Sequence, residues 1–143
     1  MRKFERISTY PNAILPRRAT AASAGYDLAA AETVEVLPGQ YVLIQTGIRA
    51  IMSGNEFLQV SLRSSLPGKK HLLIPNGVGV IDADYQFAEN EGHIHVGVWN
   101  FGSDMVTIKE GERIAQGIFC TYATTIDDDA TGTRMGGFGS TGN

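Results

Sequence analysis

The segment EFLQVSL, residues 56–62, alternates apolar and other side chains and indicates the fold class. Leu58, Val60 and Leu62 share one face of an extended chain, because successive side chains of a strand point to opposite sides. The segment HIHVGVW, residues 93–99, alternates in the same way. A period of two that recurs in separate segments predicts β-strands with one buried face each.

Further short runs predict strands between turn signals such as LPGQ, MSGN and KEGE. They are TVEV, YVLIQTGI, HLLI, MVTI and RIAQGIF. No segment keeps a helical period over several turns, and a single helical turn is expected near residues 65–70. Short strands at close spacing are typical of a sandwich, jelly roll or small barrel. The sequence therefore predicts an all-β fold.

A length of 143 residues is typical of one domain. The alternating strand pattern stops near residue 122. We expect a β core over residues 1–122, followed by a linker and a glycine-rich arm over residues 123–143. The acidic stretch IDDDA, residues 126–130, lies in this linker and is interpreted as a solvated charge run.

Charge and cysteine content exclude several classes of function. A net charge of −3 argues against unspecific duplex-DNA binding, which needs a clustered basic face. The single cysteine, Cys120, forms no internal disulfide, and its apolar surroundings predict a buried, inert thiol. No apolar run reaches membrane-spanning length and the start lacks a signal-peptide core. A cytoplasmic protein with neither nucleic-acid nor membrane partners is expected, of bacterial or viral (phage) origin.

Five short motifs differ from ordinary turns. They are AGYDL (24–28), RSS (63–65), NGVGVIDADY (76–85), GERIAQ (111–116) and RMGGFGSTG (134–142). Their order resembles that of the homotrimeric dUTP pyrophosphatases, or dUTPases, and five motifs together are far more specific than one. The resemblance implies a distorted jelly-roll (β-clip) barrel with a flexible C-terminal arm. It also implies a homotrimer with active sites shared between subunits, and hydrolysis of dUTP to dUMP and pyrophosphate with Mg²⁺.

The resemblance identifies Asp82 as the residue that activates the attacking water at the α-phosphorus. Partial burial after the apolar segment GVGVI would hold its carboxylate close to one water; a turn acid or hairpin cap is the structural alternative. Tyr85 matches a tyrosine that packs flat on the deoxyribose and leaves no volume for a 2′-hydroxyl. Its alternative is a tyrosine on the sheet surface. Asp84 has no implied role beyond a turn hydrogen bond.

Arg63 and Ser64 match the phosphate-binding motif of the family, where a guanidinium fork and a hydroxyl face phosphate oxygens. Ser65 would add a third donor, and Gln116 would contact the α-phosphate or its water network. Without the resemblance, the serines would be interpreted as capping a strand end. A structural ion pair is expected for Arg113.

Asp27 matches the family's acid that orients hydrated Mg²⁺ through water from the next subunit. A structural acid that fixes its own strand is an equally open alternative. For the base, we expect a tight hairpin over residues 76–85, returning through GHIHVGVW, whose backbone N–H and C=O groups select uracil. The assigned contacts there are Asn76, Gly79, Val80 and Ile81.

The C-terminal arm is expected to close over the bound nucleotide and exclude water other than the attacking one. Its glycines permit close approach of the backbone, its phenyl ring offers a face for the base, and its polar groups suit the β- and γ-phosphates. The assigned contacts are Arg134, Gly137, Phe138, Gly139, Ser140 and Thr141.

The chain departs from the common family pattern in two places. One residue fewer separates Arg134 from the following glycine pair, and about five extra residues follow Tyr85 in QFAENEGHIHV. The longer edge is expected to shift the wall of the base pocket or an intersubunit contact. His93 and His95 are expected to form a partly exposed pair rather than a metal site.

Two other functions were compared with the dUTPase. A dCTP deaminase on the same fold needs a glutamate near the pyrimidine C4. The segment after Tyr85 has no stretch of the Gly-x-Leu-Glu type that would supply this glutamate. A non-catalytic binding module would have lost Asp82 or the arm, and both are intact. Fold alone does not separate these classes, whereas the site residues favour the dUTPase.

Overall fold

The structure is a computed structural model that describes residues 1–136. This part of the chain contains strands together with two short helical segments, a π-helical turn at Leu66–Lys70 and a 3₁₀ helix at Ala83–Phe87. The all-β prediction and the predicted turn near residue 65 are confirmed. The strands are β1 Lys3–Arg6, β2 Tyr26–Ala29, β3 Val34–Val36, β4 Tyr41–Gln45, β5 Ile48–Ile51, β6 Glu56–Leu62, β7 Leu72–Leu73, β8 Gly79–Asp82, β9 His95–Asn100, β10 Val106–Ile108 and β11 Arg113–Thr121.

The strands form antiparallel sheets, of which two position the candidate site. The larger has the order β2-β11-β6-β8 and the smaller the order β4-β9-β7. Two strand pairs, β1 with β5 and β10 with β3, complete the described part of the fold. Strand β11 pairs with both β2 and β6, so that motifs far apart in sequence lie side by side in one sheet.

The core lies between the inner faces of these sheets. Leu58 and Val60 are buried on β6, whereas their neighbours Phe57 and Gln59 are half-buried, which confirms the predicted alternation. On β9, Val98 is buried in the same way. Full burial of an aliphatic side chain of this size stabilises the fold by about 1.5–3 kcal/mol, so these faces fix which side of each strand points inward.

The expected hairpin between the NGVGVID segment and the HVGVW segment is wrong. Strand β8 pairs with β6, whereas β9 pairs with β4 and β7, within the described residues. The intervening residues form the 3₁₀ helix and a wide turn instead of a tight connection. The two strands therefore diverge and leave a cleft between them.

Strand β11 ends at Thr121, and residues 122–136 contain neither helix nor strand. Cys120 is half-buried rather than buried, because it lies opposite Phe57 on the outer face of the sheet. No helix in residues 1–136 is long and apolar enough to cross a membrane. The predicted arm contacts Gly137, Phe138, Gly139, Ser140 and Thr141 lie outside the described residues.

Candidate active site

The cleft between β8 and β9 has a volume of about 760 Å³ and is lined mainly by apolar side chains and backbone. Tyr41 and Trp99 contribute to its wall from the β4–β9 sheet. Gly97 lets the exposed Tyr41 side chain pack closely over the strand, because a Cβ at this position would lie 2.2 Å from the Tyr41 hydroxyl oxygen. The predicted base contacts all line this one cleft: Asn76, Gly79, Val80 and Ile81.

Asp82 ends β8, and its side chain is 52% exposed, more than the partial burial expected from the sequence. It occupies the N-cap position of the 3₁₀ helix, yet its side chain makes no cap hydrogen bond to that helix within the described residues. The alternative role as a helix or turn cap therefore receives no support from the geometry.

Tyr85 lies one turn further on, in the 3₁₀ helix, and is 5% exposed. Its hydroxyl donates to the carbonyl oxygen of His93 at 2.6 Å and accepts from Nδ2 of Asn90 at 2.8 Å. Burial raises the pKa of this hydroxyl, so it stays protonated at neutral pH. The alternative of an exposed sheet tyrosine is wrong, because Tyr85 is buried in a helix.

Arg134 packs against three residues of the NGVGVIDADY motif in its own chain. Its Nη2 forms a very short ion pair with Asp82, its Nε donates to Asp84 Oδ1 at 2.8 Å, and its Cζ lies 6.0 Å from the centre of the Tyr85 ring. The Arg134 side chain is only 12% exposed. The beginning of the arm is thereby held beside Asp82, and Asp84 has a partner that the sequence did not indicate.

A second cluster surrounds Asp27 on β2. Its carboxylate lies 3.1 Å from Nη1 of Arg113 and 3.7 Å from Nε of Arg63. The structural ion pair expected for Arg113 is confirmed. Gln116 lies directly opposite Asp27 on β11, and its Oε1 would be 2.3 Å from a Cβ at Gly25. The glycine of AGYDL therefore makes room for the predicted phosphate ligand Gln116.

Ser64 and Ser65 follow β6 at the surface, next to Arg63. The backbone N–H of Arg63 donates to the Ile114 carbonyl at 3.0 Å, which fixes the end of the strand against β11. Ser65 is the N-cap residue of the π-helical turn, but its hydroxyl makes no cap hydrogen bond to the described turn. The capping role that was the alternative for this serine is not used.

The two clusters lie at opposite ends of β6. Asp82 pairs with Phe57 at the beginning of the strand, whereas Arg63 follows its last residue, Leu62. Six residues of extended chain correspond to about 20 Å. A single phosphate group therefore cannot contact both clusters of one chain.

His93 and His95 were expected to be partly exposed; this is confirmed for His95, which is half-buried, and wrong for His93. Their ring centroids are 4.1 Å apart, and His93 is buried and accepts from the backbone N–H of Gly47 at 2.9 Å. Burial and the neighbouring His95 lower the pKa of His93 to about 4. Burial also lowers the pKa of His95. The His93 ring packs against Tyr10, with centroids 5.3 Å apart, whereas His95 lines the cleft.

The described residues provide no group of three or more His, Cys, Asp or Glu side chains that could hold a metal directly. Asp27 is the carboxylate at the phosphate-binding cluster, and two arginines already contact it. Two arginines against one carboxylate give this cluster a net positive charge, which suits phosphate oxygens; an Mg²⁺ ion there would keep its waters and be held chiefly by those oxygens. The exposed IDDDA run fits the solvated segment expected from the sequence.

Three contacts of this region were missed by sequence reasoning. Asn90 binds the Tyr85 hydroxyl, Asp84 binds Arg134, and Tyr41 packs over Gly97. A glycine inside a strand often marks a close approach, so Gly97 carried a signal. The contact of Asp84 depends on how the distant segment around Arg134 folds back, and no local pattern indicated it. The contact of Asn90 lies within the turn after Tyr85, and it depends on the conformation of that turn.

The chain was compared with known proteins. A sequence model of the dUTPase family matches residues 11–142. Deoxyuridine 5′-triphosphate nucleotidohydrolase of Lactococcus lactis is 46% identical over 147 residues, which covers 99% of this chain and 98% of the relative. The Escherichia coli K12 protein of the same name is 40% identical over 136 residues, covering 90% of this chain and 87% of the relative. The crystal structure of dUTPase from Streptococcus mutans superimposes with a TM-score of 0.83 at 43% identity, covering 86% of this chain and 98% of that chain. The chain therefore belongs to the dUTPase family.

Proposed function

We propose that the protein hydrolyses dUTP to dUMP and pyrophosphate by attack of water at the α-phosphorus. The observation that carries the proposal is the position of Asp82, a half-exposed carboxylate beside the cleft between β8 and β9. The reaction lowers the dUTP level and supplies dUMP for dTMP synthesis. Because the named relatives come from bacteria, we further propose that it takes place in the cytoplasm of a bacterium, including one infected by a phage.

The cleft suits a flat base that is recognised through backbone groups. In the described residues, β8 pairs along one edge only, with β6, and residues 95–97 of β9 pair only with β4. The second edges of both segments line the cleft. A uracil between them would meet N–H and C=O groups, which reject cytosine by mismatched hydrogen bonds, while a narrow wall rejects the methyl group of thymine.

Asp82 would accept a proton from, or orient, the attacking water, a role that requires a carboxylate within hydrogen-bond reach of that water. Arg63, Ser64, Ser65 and Gln116 would bind phosphate oxygens and stabilise the charge that develops during attack. When bound, Mg²⁺ supplies positive charge at the triphosphate oxygens. Asp27 would orient Arg63 directly and the hydrated ion through water.

A trimer would unite the separated clusters. The distance of about 20 Å along β6 supports a site in which Asp82 of one subunit faces Arg63 of the next. Arg134 and the residues after it would close over the nucleotide as an arm. On closure, Arg134 would exchange its contacts with Asp82 and Asp84 for contacts with the phosphates. This assembly is the family's expected homotrimer with shared active sites.

A pyrophosphate-release assay tests the proposal. We expect rapid release from dUTP, much slower release from UTP, dTTP and dCTP, and loss of most activity with a Mg²⁺ chelator. Ammonia release from dCTP would instead support a deaminase. Absence of turnover for every nucleotide, combined with retained dUTP binding, would support a non-catalytic module.

A further inference from the structure

The extra residues after Tyr85 form an ordered turn, which we call the insertion turn, residues 88–92. Backbone hydrogen bonds run from Ala88 N to the Tyr85 carbonyl at 3.0 Å and from Glu91 N to the Ala88 carbonyl at 2.9 Å. Glu91 and Gly92 both adopt positive φ, of 63° and 76°. A Cβ at Gly92 would lie 2.8 Å from the Tyr85 carbonyl oxygen. The turn is therefore folded tightly back onto Tyr85.

The insertion turn and the residue after it fix the Tyr85 hydroxyl from two directions. Asn90 Nδ2 donates to this hydroxyl at 2.8 Å, while Asn90 Oδ1 accepts from Gly92 N at 3.1 Å. The hydroxyl donates in turn to the His93 carbonyl at 2.6 Å. The Gly92 N–H holds the oxygen end of the Asn90 amide, so the amide is oriented with Nδ2 towards the Tyr85 hydroxyl.

The turn is also tied to the rest of the fold. The Ser8 hydroxyl donates to Glu91 Oε2 at 2.5 Å, and the Ser8 backbone N–H donates to the same carboxylate at 3.2 Å. His93, which supplies the carbonyl partner of Tyr85, is itself fixed by the N–H of Gly47. Tyr85 is thus connected to two distant segments through the insertion turn and His93, instead of depending on its own short helix.

We propose that Asn90 is a positioning residue that fixes the ring of Tyr85 and thereby sets discrimination between 2′-deoxyribose and ribose. This inference rests on the proposed function and on the role that the family resemblance implies for Tyr85, whose ring would pack against the deoxyribose. Steric rejection of a hydroxyl works only if the ring cannot move away from it. Removing the Asn90 donor takes away one of the hydrogen bonds that hold the Tyr85 hydroxyl, so the ring would tilt more easily and admit the extra oxygen.

The test compares kcat/KM for dUTP and UTP in the full-length protein. For Asn90→Ala we expect the dUTP-to-UTP ratio to fall about tenfold, the scale of discrimination that one small group gives in a pocket. The fall should come mainly from faster UTP turnover. Glu89→Ala is the matched control, because Glu89 is an exposed neighbour in the same turn, and it should keep the wild-type ratio.

Two further variants separate positioning from a loss of stability. Asn90→Leu keeps a similar side-chain volume and removes the donor without adding an acceptor for the hydroxyl, so it should lower the ratio even where Asn90→Ala folds poorly. In a Tyr85→Phe background, Asn90→Ala should change the ratio no further, because the hydroxyl it binds is gone.

The outcomes are distinct. An unchanged ratio in both Asn90 variants, with wild-type protein active on dUTP, would overturn the positioning role alone. Equal losses for both nucleotides, accompanied by a lower Tm, would assign Asn90 a structural role and also overturn it. Wild-type protein that releases no pyrophosphate from dUTP would overturn the proposed function and this inference together.

Discussion

Two inactive variants should restore each other's activity when they are assembled into mixed trimers. Asp82→Asn removes the carboxylate at one end of β6, and Arg63→Ala removes the guanidinium beyond the other end. The two side chains are separated by about 20 Å of strand, so each active site would take them from different chains. A site that receives Asp82 from an Arg63→Ala chain and Arg63 from an Asp82→Asn chain contains neither defect.

The geometry sets the size of the effect. In a cyclic trimer every site lies at an equivalent interface between two neighbours. With random assembly of equal amounts, half of the sites receive an intact Asp82 and half of those an intact Arg63, so about one quarter of wild-type activity should return. An excess of either variant in the mixture should lower the recovered activity below this value.

The assay is pyrophosphate release after the two variants are unfolded together, refolded and brought to a common concentration. Each variant refolded alone is the control and should stay near its own low rate. Different affinity tags on the two variants, followed by tandem purification, establish that mixed trimers have formed. If purified mixed trimers are no more active than either variant alone, Asp82 and Arg63 do not meet across an interface, and the reasoning from their separation fails.

Three other predictions follow from the same contacts. Asp82→Asn alone should reduce kcat by on the order of 10²–10⁴-fold and leave dUTP affinity largely intact by equilibrium binding; unchanged turnover would remove Asp82 from the reaction. Deleting residues 134–143 removes the contacts of Arg134 with Asp82 and Asp84. The shortened protein should remain a folded trimer in light scattering but have little activity, and full activity would exclude the role of the arm as a lid. The lowered pKa of His93, about 4, means that the unfolded chain takes up a proton first as the pH falls. Stability should therefore decrease from about pH 6.5 towards pH 4, by up to about 3 kcal/mol; His93→Gln should flatten this decrease in Tm measurements, and an equal decrease in that variant would contradict the assignment.

The sequence predicted the strands better than their partners. Alternation in EFLQVSL and HVGVW follows from burial of one face, so β6 and β9 were expected correctly. The pairing of the strands could not be predicted in this way, because an alternation of side chains with period two does not indicate which strand edges form hydrogen bonds with each other. The expected hairpin between β8 and β9 was wrong, because the 3₁₀ helix at Ala83–Phe87 and the turn after it lie between the two strands, and β8 pairs with β6 instead.

The same distinction applies to the candidate site. The motif NGVGVIDADY is continuous in sequence, so its base contacts could be predicted to lie together, and all four line one cleft. The contact of Asn90 with Tyr85 joins residues only five apart, but it depends on the conformation of the turn between them. The burial of His93 could not be predicted, because it depends on the distant segment around Gly47. Such contacts arise from tertiary packing, which leaves no periodic signal in a single sequence.

A site divided between subunits needs each half to be held in shape by its own chain. Asp27 lies between Arg63 and Arg113 and keeps one phosphate ligand oriented, with two positive charges against one negative charge. At the other half, Asn90 and the His93 carbonyl fix Tyr85. Association would then have only to bring two ordered surfaces together, instead of ordering mobile side chains at the interface, which costs about 0.5–1.5 kcal/mol for each immobilised side chain. On this view Asp27 acts as the structural acid that orients Arg63 within its own chain, and its role towards a hydrated Mg²⁺ ion stays a prediction.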